Sequence, residues 1–205
     1  MKKISSYHGT LWEIELNENL GFGYVQIIDT KIYNGWGFLV KILNCRSEVR
    51  KKHLSIEEFY VWDMLTSPLM AAGTIPQKGN KIWKKIGTFP LNNTDTQVPV
   101  CKEGGWDYEE EKEVWSIIKN LTPQDWEDGC SFEQIKHLGY YNPVIFLHSI
   151  HHRITMEWMK VLGMDFENYH TTESDQEHIR TMKEQVKYSV PYSEVPIEIR
   201  GKVKL

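Results

Sequence analysis

Leu11-Trp12-Glu13-Ile14-Glu15-Leu16 follows Gly9 and alternates apolar with polar side chains, so only one face of the stretch is apolar. A period of two is the mark of a half-buried strand. Asn17-Glu18-Asn19 then supplies turn-forming residues. Gly21-Phe22-Gly23-Tyr24-Val25-Gln26-Ile27-Ile28 reads as a second strand, with glycines where the backbone bends or passes close to a neighbour. After a turn within 29–35, Trp36-Gly37-Phe38-Leu39-Val40-Lys41-Ile42-Leu43 is a third strand, and its near-continuous apolar run predicts burial on both sides. Three strands joined by short turns make a meander, and glycine-bent strands favour a small curled sheet or a partly open barrel.

Working outward, Ser55-Ile56-Glu57-Glu58-Phe59 has the form of a capping box, with Ser55 as cap and Glu58 three residues on. The same stretch could equally run into a strand through Phe59-Tyr60-Val61-Trp62. Leu69 to Ile75 is another short strand candidate, and Lys81 to Gly87 closes the half with Ile82 and Ile86 around Trp83. Residues 92–105 contain Asn, Thr and Pro and end in Gly104-Gly105, which predicts a linker. Beyond it the period changes: Trp115, Ile118 and Leu121 stand at helical spacing, with acidic residues ahead of them. Asn142-Pro143 opens a second helical pattern that stops at Gly163, and Ser174 to Tyr188 a third. The expected fold class is α+β. A β-rich domain spans 1–91, a linker 92–105, and a mainly α-helical acidic region 106–205.

The 205 residues include eight tryptophans, 40% hydrophobic and 25% charged residues, an ordinary globular balance rich in large aromatics. Met1-Lys2-Lys3 has no apolar run behind it, and no stretch approaches the roughly 18 apolar residues of a membrane span, so neither a secretion signal nor a membrane partner is expected. Cys45, Cys101 and Cys130 are odd in number and widely spaced, which argues for a reducing cytoplasm and against a disulfide framework or zinc knuckle. The net charge of −4 is uneven. Residues 1–100 carry 12 basic against 9 acidic side chains, and residues 101–205 carry 12 against 19. Net acidity makes nucleic acid a poor partner.

Catalytic patterns are thin. His148-Ser149-Ile150-His151-His152 would place His148 and His152 on one helical face, as two imidazoles gripping a metal require, but Ser149 stands where a zincin needs glutamate and no third ligand is marked. Structural or surface histidines are the simpler expectation. No nucleophile elbow and no phosphate loop is present; Gly21-Phe22-Gly23 precedes a strand. No catalytic residue, metal ligand or cofactor is therefore assigned. The basic stretch Arg46 to His53 lacks aromatic neighbours and reads as a solvated loop.

The segment that reads as a binding surface is Cys101 to Glu133, where ten acidic residues face three lysines with Trp106, Tyr108, Trp115 and Trp126 among them. Acid interleaved with aromatics steers and anchors a basic partner. Trp106, Tyr108, Glu109, Glu110, Glu111 and Glu113 are the candidate partner-binding residues. A purely structural role would follow if Trp115 and Trp126 were both fully buried.

Gly9-Thr10-Leu11-Trp12-Glu13-Ile14-Glu15-Leu16 with Gly21-Phe22-Gly23-Tyr24-Val25-Gln26-Ile27 resembles the opening of the immunity protein 26 family. Ile82-Trp83-Lys84-Lys85-Ile86-Gly87 with Pro90-Leu91 is similar to its closing pattern. The resemblance covers about residues 5–91. It implies a cytoplasmic bacterial immunity protein, not an enzyme, that neutralises a cognate polymorphic toxin by occlusion. The acidic second half suits a basic toxin such as a nuclease. The alternative from another class is a small metal-dependent hydrolase using His148, His151 and His152.

Overall fold

The computed structural model describes residues 3–33, 36–51, 53–75, 81–91, 99–107, 109–121, 125–141, 146–172, 176–200 and 202. The expected meander forms. β1 (Thr10–Glu15), β2 (Phe22–Asp29), β3 (Phe38–Ser47), β4 (Leu69–Ala71) and β5 (Trp83–Thr88) make an antiparallel sheet in the order β4-β3-β2-β1-β5. Among the described strands its two ends, β4 and β5, do not pair with each other. Helix α1 (Ile56–Tyr60) starts on the capping box read from sequence: the Glu58 N–H donates to Ser55 Oγ at 3.2 Å and the Ser55 N–H to Glu58 Oε2 at 2.9 Å.

Register sorts the first sheet into two faces. Trp12 pairs with Val25 and Val25 with Ile42, so Trp12, Ile14, Val25, Ile27, Val40 and Ile42 share one face. That face packs on α3 (Ile150–Val161) and α4 (Gln176–Lys187) through Ile150, Ile154, Met156, Ile179, Met182 and Val186. Trp12 and Trp83 meet edge to face at 5.9 Å inside it. Full burial of side chains this size contributes about 1.5–3 kcal/mol each. The opposite face is buried too. Leu11, Tyr24 and Leu43 pack under Leu54, Phe59 and Phe89, while Ile28, Leu39 and Met70 share a core with Cys101, Ile118, Leu121 and Tyr141. Core clusters thus run across residue 91.

The expectation of a mainly helical second half is not met. β6 (Cys101–Asp107), β7 (Lys112–Ile118), β8 (Trp126–Asp128) and β9 (Gly139–Tyr140) form a second sheet, order β8-β7-β6-β9, with β6–β9 parallel and the other pairs antiparallel. The helical spacing of Trp115, Ile118 and Leu121 misled because the second half of β7, from Trp115 to Ile118, is buried on both sides. Trp115 and Ile117 pack on Ile135 and Leu138, and Ile118 packs on Cys101 and Tyr141. A strand covered on both faces carries no period of two.

Of the expected linker, residues 92–98 lie outside the described residues and Cys101–Gly105 is strand. Gly104 serves packing, not flexibility. Its φ is 130°, and a Cβ there would stand 2.1 Å from the Val114 carbonyl oxygen and 3.1 Å from the Trp115 ring. The later helices follow the reading more closely. α2 (Phe132–Ile135) is short, and α3 follows a 3-10 turn at Leu147–Ser149 and stops at Gly163, whose φ is 69°. α4 lies within the third pattern. The proposed starts at Asn142-Pro143 and Ser174 lie outside the described residues.

Candidate protein-binding surface on the second sheet

The β6–β7 hairpin turns at the acidic run. Asp107 Oδ1 accepts the N–H groups of Glu109 at 2.9 Å and Glu110 at 3.1 Å, and Glu111 takes a left-handed φ of 50°. Glu109, Glu110 and Glu111 are exposed at this tip, with Lys112 Nζ 3.3 Å from Glu110. Trp106 pairs with Glu113 in the ladder, though nothing of its side chain is described, and Tyr108 lies outside the described residues. Glu113 is exposed yet occupied: its carboxylate accepts Trp115 Nε1–H at 3.1 Å and the Tyr188 hydroxyl at 3.1 Å, joining the sheet to the end of α4. Of the six candidates, the structure therefore gathers Glu109, Glu110 and Glu111 at an exposed acidic tip, Glu110 paired with Lys112, and gives Glu113 a bracing role.

The two deciding tryptophans part company. Trp115 is 2% exposed and stacks near Phe132 and Tyr188, whereas Trp126 is 46% exposed on β8. Asp125, Glu127 and Asp128 surround it on the chain and are exposed. Asp128 accepts Ser116 Oγ at 2.6 Å, and Lys119 is paired with Glu127. Val114, 37% exposed, shares Trp126's face of the sheet. Trp126 was visible in sequence as an aromatic among acids, but nothing there separated it from the buried Trp115.

Behind this surface the charges are interior. Lys102 donates to the carbonyls of Lys136 at 2.5 Å and Tyr188 at 2.9 Å and lies over the Tyr140 ring at 4.8 Å, so it ties β6 to α2 and α4. Burial first, and then the Arg153 charge, lower its pKa to about 7. Glu103 is raised to about 8 by burial alone. Arg153 pairs with Glu157 one turn on, with Nε donating at 2.8 Å, and Gln185 and Ser189 complete the set.

The histidines do not converge. His148 is exposed and stacks on Phe146 at 5.5 Å, while His151 and His152 are buried with ring centroids 3.8 Å apart. Among the described residues no three His, Cys, Asp or Glu side chains stand where they could share a metal ion. The basic stretch is engaged in the fold rather than solvated throughout. Arg46 donates to the Leu20 carbonyl, Arg50 to Glu13, Glu15 and the Lys81 carbonyl, and the Lys51 N–H to the fully buried Glu13. A groove of about 500 Å³ beside the β1–β2 turn is lined by Glu15, Asn17, Glu18, Phe22 and Glu48. No helix among the described residues is long and apolar enough to cross a membrane. Set against known proteins, the chain matches no family model, no curated protein and no solved structure.

Proposed function

We propose that this protein is a non-catalytic immunity protein that binds a cognate bacterial toxin in the cytoplasm and neutralises it by occlusion, with the acidic second sheet as its docking surface. The observation that carries the docking surface is Trp126, 46% exposed on a strand flanked by acidic side chains. A large aromatic left in water among mainly acidic side chains suits an interface anchor with steering around it. The immunity reading rests on the two motifs that resemble that family. It is supported by their placement as neighbours: β1 lies between β2 and β5, with Ile14 opposite Trp83 and Glu13 opposite Lys84. The acidic tip fits a basic toxin, a nuclease being the natural case.

The test is co-expression with the toxin domain encoded by the adjacent gene. Growth is restored by the intact protein. Reversal of Glu109, Glu110 and Glu111 to lysine weakens the complex at low salt by about tenfold or more, mostly through slower association. Unchanged binding after that reversal would remove the acidic tip from the interface. Failure of the intact protein to rescue growth would remove the immunity reading itself.

A further inference from the structure

The sheet edges are guarded unequally. β5 carries Lys84 and Lys85, a common device against strand pairing. β4 is met on its outer side by the chain at Phe146 and Leu147, whose N–H donates to the Ala72 carbonyl at 2.8 Å. β9 is pressed against Pro68 so closely that a Cβ on Gly139 would stand 1.6 Å from the Pro68 carbonyl oxygen. β8 differs from all three. It ends its sheet, all its residues are exposed, and among the described residues it bears neither lysine nor proline nor a covering segment. Hydrogen bonds to β7 hold its inner side from Asp125 to Cys130.

A bare edge is a template for another strand. We propose that β8 receives an extended basic segment of the partner as an added strand, with Trp126 as the apolar anchor. This rests on the reading of the acidic sheet as a docking surface and specifies how that surface is used. Charge selects the occupant. A second copy of this chain pairing edge to edge would set Glu127 and Asp128 against their own kind, which is unfavourable, whereas lysines or arginines on an incoming strand meet opposite charge. Lys119 already neutralises part of Glu127, so the remaining attraction falls chiefly to Asp128, one of whose oxygens also accepts Ser116 Oγ.

The full chain is titrated with a short peptide of alternating arginine and valine while amide hydrogen exchange is followed. New protection confined to Trp126–Asp128 is expected. The same peptide N-methylated at alternate residues, which keeps its charge but cannot complete the ladder, binds about tenfold or more weakly. Glu127→Lys weakens the arginine peptide and favours its glutamate counterpart. Equal binding of the N-methylated peptide, protection elsewhere, or self-association through β8 would overturn the proposal. A toxin neutralised while the β8 amides stay unprotected would overturn strand addition and leave the proposed function standing.

Discussion

His152 is fully buried on α3, with Nδ1 2.6 Å from the Tyr169 hydroxyl and 3.4 Å from Asn17 Nδ2, while its Nε2 has no hydrogen-bond partner among the described residues. Burial, and after it the neighbouring His151, lowers its pKa to about 3. The unfolded chain takes up the proton near the ordinary value of about 6.5, so the unfolded state binds more protons between those limits. Stability is therefore full above pH 6.5 and falls as the pH drops towards 3, by up to about 1.4 kcal/mol per pH unit from this residue. Urea midpoints recorded against pH would show this slope, and His152→Gln should flatten it. An unchanged slope in that variant would place the acid sensitivity elsewhere. The i,i+4 pattern that drew attention to these histidines thus marks buried packing for one and a stacked surface ring for another.

At the scale of elements, β6 and β7 stand or fall on Gly104. Any side chain there meets the Val114 carbonyl at 2.1 Å with the backbone at φ 130°, so Gly104→Ala should cost about 1–3 kcal/mol in strain alone and lower the thermal midpoint measurably. A neutral substitution would mean that the hairpin shifts freely. The same residue shows why this half was misread. Gly104-Gly105 looks like a linker because a glycine that admits a neighbouring tryptophan and one that loosens a chain are the same letter. Local chemistry was legible wherever the signal is itself local, as in the Ser55–Glu58 box and the stop at Gly163. The exposure of Trp126 was not, since a three-residue edge strand has too few positions to show a period, and what covers it is decided by residues far along the chain.

At the scale of the whole molecule, the first sheet is a wall used on both sides, by α3 and α4 on one face and by α1 and the second sheet on the other. Residues 1–91 alone would expose both long helix-facing and sheet-facing surfaces, so that fragment should fail to give a cooperative urea transition. The full chain should unfold in one step, with tryptophan fluorescence and circular dichroism coinciding. Two separated transitions would show that the β half is an independent unit. The acidic tip at Glu109, Glu110 and Glu111 stands apart from this shared interior, since none of its residues belongs to any of the four core clusters. Stability and surface charge are thereby written in different letters: substitutions at the tip can change its charge pattern while the wall behind it keeps the same residues and the same fold.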